Sequence, residues 1–179
     1  PLGTDRPQRH VPWMNILLIA ANVVDFLLTH HLSGAPRGMN PTATSAGWAI
    51  YELHAGADMR LYQFFTYQFL HEGWMHLIGN MIFLYVFGNN LNEKLGDASF
   101  LLLYLTGGVL AGCGQVLTSA APTLGASGAI SAVAGAFLVL LPRTNVRIFI
   151  FLFYYIDVIE VPSMWFILFN FGKDLIFPY

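Results

Sequence analysis

GASGAISAVAGAFLVLLP, running from Gly125 to Pro142, is the stretch whose reading decides how this chain folds. The seventeen residues from Gly125 to Leu141 would rise about 26 Å as a helix, at about 1.5 Å per residue. A bilayer core is about 30 Å thick and takes roughly 20 apolar residues to cross. With Pro142 at one surface, the other end stops short of the far one, and Ser127 stands near that submerged end. A helix start carries unpaired backbone N–H groups and the positive end of the peptide dipoles, which suits a developing oxyanion. The flanking Gly125, Ala126, Gly128 and Ala129 are small. Small residues are also what membrane helices use to pack closely, so Ser127 alone reads first as a packing residue. A soluble hydrolase elbow does not fit, because Ala129 stands where Gly-x-Ser-x-Gly needs its last glycine and no strand precedes it.

Working outward, the whole chain has the composition of a membrane protein. Apolar residues make up 56% and charged residues 10%, where soluble domains carry about 25% charged residues. Five segments approach spanning length: about Trp13 to Leu32, Phe64 to Leu91, Phe100 to Thr118, Ala126 to Leu141, and Ile148 to Phe171. The expected fold is therefore an all-α membrane protein, one transmembrane domain over residues 13–179 behind a polar N-terminal segment of residues 1–12. The first apolar run is too long, and lacks the small-residue cleavage site, for a signal peptide. A net charge of −2 offers no basic surface for nucleic acid, and the single cysteine, Cys113, cannot form an internal disulfide. The loop from Ser33 to Met59 holds Trp48, Ile50, Tyr51 and Leu53, so it is expected to lie partly in the membrane interface and pack on itself. Counting basic residues puts Arg6, Arg9, Lys94, Arg143 and Arg147 on the cytoplasmic side and Arg37, Arg60 and Lys173 outside, an N-in topology.

The second apolar segment carries His71-Glu72-Gly73-Trp74-Met75-His76-Leu77-Ile78-Gly79-Asn80-Met81. His76 and Asn80 are four apart and share a helix face. Polar side chains in a span usually face a polar interior. They can serve as packing hydrogen bonds, or, beside a hydroxyl nucleophile, as an oxyanion hole. The near match to His-Glu-x-x-His points elsewhere, since that zinc motif needs two histidines at i and i+4. Here the spacing is five, and on one helix the second ring would turn about 140° away at 3.6 residues per turn. No metal and no cofactor is expected.

Together, His71-x-x-x-x-His76-x-x-x-Asn80-Met81 and Gly125-Ala126-Ser127-Gly128 resemble the rhomboid family of intramembrane serine proteases. Arg60 ahead of Phe64-Phe65-Thr66, Gly107-Gly108, Gln115 and Val161-Pro162 fit the same pattern. The resemblance implies a six-helix bundle, of which five helices are present, with the short Ser-bearing helix at its centre. It implies Ser127 as nucleophile, His76, Asn80 and the Ser127 N–H as oxyanion hole, and His71, Gln115 and Arg60 in support. The implied reaction is hydrolysis of peptide bonds in or near transmembrane segments of membrane-protein substrates. The site would open to the extracytoplasmic side of a plasma or bacterial inner membrane.

Two departures accompany it. Asn92 stands where the family commonly has Glu, which touches a support network at the cytoplasmic end. The family's general base is a histidine on a sixth helix, and no histidine follows His76. The chain starts on Pro1 and ends on Phe177-Pro178-Tyr179, so the expectation is a protein cut before its last helix. Its Ser-His dyad would be completed beyond residue 179, and the 179 residues alone would be inactive. The alternative is an inactive rhomboid-like protein that binds transmembrane clients. Asn22 and Asp25, within the first span, are expected to find partners inside the bundle or at the interface. Asp157 and Glu160, within the fifth, are expected to face a polar pocket or the headgroups.

Overall fold

The computed structural model describes residues 3–33, 52–53, 55–56, 59–152 and 155–176. Of the expected interfacial loop, Trp48, Ile50 and Tyr51 lie outside the described residues. Helix α1 spans Trp13–Ser33. A short helix α2, Gln63–Thr66, runs into a 3-10 turn, Tyr67–Phe69, and the backbone becomes extended at Leu70. Helix α3, Trp74–Phe83, starts only after Gly73, also extended. The second apolar segment is therefore not one continuous helix from Phe64 onward. Its first part is a wedge that buries Gln63, Tyr67, Gln68, Leu70 and His71 in the bundle.

From Trp74 the chain stays helical through a π turn, Leu84–Gly88, and helix α4, Asn89–Leu95. Gly96, at φ +79°, supplies the reversal into α5, Asp97–Thr118. Such a backbone angle favours glycine, which has no Cβ to clash. Helix α6, Ser127–Leu140, is short as expected, rising about 21 Å. It packs on α5, with Gly107 against the Ala132 methyl and Gly128 against Ala111. Phe87, Phe100, Tyr104 and Phe137 fill the core, and Phe87 meets Phe137 edge-on at 5.0 Å.

The last apolar segment corrects the all-α expectation. The chain does not enter a fifth span near Ile148. Strands β2, Asn145–Leu152, and β3, Tyr155–Pro162, form an antiparallel hairpin, and only then does α7, Ser163–Ile176, begin. Valine, isoleucine and aromatic residues dominate these strands and suit a pleated surface better than a helix. Asp157 and Glu160 are exposed on the hairpin, not held inside a span, and Glu160 pairs with Arg147 at 3.3 Å. Strand β1, Gly3–Thr4, adds to the other edge of β2, so the order is β1-β2-β3.

Among the described residues, only Asp97–Thr118 is both long and apolar enough to cross a membrane by itself. Its Leu102, Leu110 and Leu117 are 63%, 71% and 85% exposed and fall on one side of the helix, an apolar face suited to lipid.

At the end where α1 begins, a buried polar network ties the helices together. Asn15 Nδ2 donates to the Leu84 carbonyl at 2.9 Å and to Asn89 Oδ1 at 2.7 Å. The π turn lies at this carbonyl, and such turns loosen the regular i→i−4 ladder. Asn92 Oδ1 accepts from Asn15 N at 2.9 Å, and Asn92 Nδ2 donates to Asp97 Oδ1 at 2.8 Å. Asn92, the position of the first departure, thus joins α1, α4 and α5. The Asn15 carboxamide lies where a Cβ on Gly88 would be. Gly88→Ala should therefore lower stability by about 1–3 kcal/mol, the usual range for overpacking. Gly135→Ala, with open space around its Cβ, should be neutral or stabilising; denaturant unfolding in micelles checks both.

Candidate active site

The start of α6 is shaped by Gly125. Its φ is +119°, its N–H donates to the Tyr67 carbonyl at 2.8 Å, and a Cβ there would lie 2.8–2.9 Å from Cε1 and Nε2 of His76. The His76 imidazole therefore rests against the Gly125 backbone, two residues before Ser127. Glycine is required twice at this point, once for the backbone angle and once for the close approach. Ala126, buried, follows with φ −70° and ψ −9°. The first N–H taken by the helix is that of Ile130, bonded to Ala126 O at 2.9 Å. This leaves the N–H groups of Ser127, Gly128 and Ala129 outside the helical ladder. Ser127 is exposed, and its carbonyl accepts from Ser131 Oγ at 2.8 Å.

His76 and Asn80 both lie on α3, half-buried and one turn apart. The Asn80 Nδ2 atom is buried and has no hydrogen-bond acceptor among the described residues. A buried donor left open costs about 1–3 kcal/mol. It is a donor available to an oxygen that is not part of the protein.

His71 is not on the helix with His76, and the angle expected from helical spacing does not apply. The break at residues 70–73 folds it back, so that the two rings meet edge-on with centroids 5.2 Å apart. His71 is fully buried, and its Nδ1 donates to Phe69 O at 3.1 Å. A carbonyl can only accept, which fixes the proton on Nδ1. Among the described residues no group of three or more His, Cys, Asp or Glu side chains is arranged to hold a metal ion.

The other expected residues fall at varying distances from this cluster. Arg60 is exposed and acts through its backbone, donating to Gln63 Oε1 at 2.8 Å and accepting from Gln63 N at 3.0 Å at the start of α2. Gln115 is half-buried on α5, and its side chain makes no hydrogen bond among the described residues. Asn22 finds its partners inside the bundle, donating to Leu18 O at 2.8 Å and facing the Tyr104 hydroxyl at 3.5 Å. His10 lies on the N-terminal segment, while the side chains of His30, His31 and His54 lie outside the described residues.

Sequence reading missed Tyr67 and Gln68. The Tyr67 carbonyl holds Gly125, its hydroxyl donates to Gly108 O at 2.6 Å, and a Cβ on Gly128 would come within 3.2 Å of that hydroxyl. Gln68 is fully buried and fills the space that a Cβ on Gly108 would take. The available cue was a glutamine inside an apolar run, expensive in a membrane unless partnered. Leu53, also fully buried, pairs its backbone with Thr123 just before α6 and sits over Gly112.

Known proteins resemble the chain in the same region. A family model described as Rhomboid domain matches residues 58–175. Rhomboid-like protein 11, chloroplastic, from Arabidopsis thaliana is 44% identical over 71 residues, covering 38% of this chain and 25% of that protein. Rhomboid protein 1, mitochondrial, from Saccharomyces cerevisiae is 33% identical over 90 residues, covering 46% and 26%. Rhomboid protease GlpG from Yersinia pestis is 26% identical over 88 residues, covering 49% and 32%. The matches thus cover about a quarter to a third of these relatives' own lengths.

Gly125→Ala should lower stability by about 1–3 kcal/mol through overpacking, with a further 1–2 kcal/mol or so for the backbone angle. The imidazole resonances of His76 and His71 should shift with it, while that of His10 at the opposite end should not. An unchanged His76 spectrum would show that the ring does not rest on Gly125.

Proposed function

The chain belongs to the rhomboid family, a family of membrane proteins, and we propose that it carries the nucleophile and oxyanion hole of an intramembrane serine protease. The observation that supports this most directly is the contact of the His76 ring with Gly125. It sets His76, one turn from Asn80 on α3, beside the start of α6, where N–H groups are free. In this reading Ser127 Oγ attacks the scissile carbonyl and an acyl-enzyme forms. The oxyanion takes hydrogen bonds from the Ser127 N–H, His76 and the open Asn80 Nδ2. Water then releases the acyl group.

A serine hydroxyl needs a base to accept its proton. His71 is not assigned this role, since it is fully buried against the His76 ring while Ser127 is exposed. We assign the base to a histidine outside these 179 residues. His71 then supports the His76 ring from its edge, and Arg60, through the start of α2, supports the wedge that holds Gly125. Gln115 supports the site from α5. Substrates are transmembrane segments that enter from the bilayer, with the N-terminus of the enzyme cytoplasmic and the site open to the opposite side.

The test uses the whole protein that contains this chain. A fluorophosphonate should label it covalently at Ser127, and Ser127→Ala should abolish the label. Asn80→Ala and His76→Ala should each slow cleavage of a transmembrane substrate by about 10²–10³-fold, the usual loss for one oxyanion donor. Labelling that survives Ser127→Ala would overturn the assignment of the nucleophile. A folded protein that binds transmembrane segments without labelling or cleavage would overturn the enzymatic reading altogether.

A further inference from the structure

At the end of the bundle away from Ser127, the N-terminal segment, α1 and the helical rod of residues 74–95 enclose an open groove of about 390 Å³. Arg9 and His10 line it from the N-terminal segment beside Val11 and Pro12, while Ile19 and Tyr85 line it further along the two helices. The two helices are in step, because Asn15 on α1 bonds to Asn89 on α4. Ile19 lies about 6 Å beyond Asn15 along α1, at about 1.5 Å per residue. Tyr85 lies a similar distance beyond Asn89. The groove therefore runs from the polar boundary of a membrane helix into its apolar depth.

The polar end has unused donors. Asn89 is only 8% exposed, and its Oδ1 is taken by Asn15 at 2.7 Å. Its Nδ2 has no acceptor among the described residues. The Arg9 side chain is exposed and enters no salt bridge, the pair Arg147–Glu160 being the one present among the described residues. The nearby acid Glu93 does not line the groove; its Oε1 accepts from Arg9 N at 2.8 Å. The segment that carries Arg9 and His10 is also held in place. Asn90 Nδ2 donates to Thr4 Oγ1 at 2.9 Å, Asn145 N donates to Asp5 Oδ1 at 3.0 Å, and β1 pairs with β2.

Donors of this kind suit a phosphodiester. Inorganic phosphate would leave the apolar wall uncovered. A zwitterionic lipid would bring its own cation towards Arg9 and His10. We propose that this groove binds one anionic glycerophospholipid, with its phosphate on Arg9, His10 and Asn89 and an acyl chain along Ile16, Ile19 and Tyr85. The inference rests on the chain being a membrane protein and is independent of the protease reading.

The experiment is native mass spectrometry of the purified chain in neutral detergent, titrated with phosphatidylglycerol, with phosphatidylcholine of the same acyl chains, and with inorganic phosphate. One phosphatidylglycerol per chain should saturate, at least about fivefold tighter than phosphatidylcholine, since one cation near a membrane surface contributes about fivefold. Arg9→Gln should reduce phosphatidylglycerol to the phosphatidylcholine level, Ile19→Trp should weaken it at least as much by filling the acyl wall, and Arg143→Gln should leave it unchanged. Equal binding of the two lipids, or binding indifferent to Arg9→Gln, overturns the proposal. So does displacement of the lipid by inorganic phosphate with the same strength in wild type and Ile19→Trp, which would mark a soluble-anion site. Should Ile19→Trp fail to fold, the lipid preference and the exposed Arg9→Gln variant decide the matter.

Discussion

Everything at the centre of this bundle depends on backbones approaching more closely than side chains normally allow. Helix α6 touches α5 through Gly107 and Gly128, and the wedge of residues 63–71 packs on α5 because Gly108 leaves room for Gln68 and Gly112 for Phe64 and Tyr67, with Leu53 beside them. Gly125 lets the His76 ring lie on its backbone. In a bilayer the hydrophobic effect does little to press helices together, so packing contact and interhelical hydrogen bonds must hold them. A methyl group at any of these glycines would push apart the elements that meet at Ser127.

The opposite end is held differently, by polar side chains bonded to one another, although Asn15 Oδ1 has no partner among the described residues. Asn15, Asn89, Asn92 and Asp97 form a chain of short hydrogen bonds across α1, α4 and α5, with the π turn at Leu84 supplying a backbone acceptor. A buried carboxylate from Glu in place of Asn92 would need a cation or several donors to offset its desolvation. The amide instead accepts from Asn15 N and donates to Asp97 with one side chain. The rigid end and the close-packed end bracket the rod of residues 74–95, whose orientation fixes where His76 and Asn80 point.

Most of the bundle was legible in the sequence, because long apolar runs and small-residue faces follow directly from the lack of water in a bilayer. The short α6 follows from the length of its apolar run and the shared face of His76 and Asn80 from helical spacing, while a bundle partner for Asn22 was one of two readings open to a polar residue in a span. Spacing misled where the backbone left the helix. His71 was read on the same helix as His76, and the extended residues around Gly73 turned it back onto the second ring. The hairpin of residues 145–162 was read as a span because an apolar run does not by itself distinguish strand from helix. Asp157, Glu160 and Pro162, together with the density of β-branched and aromatic residues, were the cues against a helix. The wedge bearing Tyr67 and Gln68 was hidden for the same reason, since it continues an apolar run into α3 without a change in composition.

Strand β1 has a topological consequence. Gly3 and Thr4 pair with Arg147 and Val146, so the two partners lie on the same side of the membrane. Any crossings made by the chain between them are therefore even in number. Asp5 and Asn145 are 140 positions apart, so this contact closes only after nearly all of the intervening chain has been made and inserted. This contact is thus among the last in the bundle to be fastened.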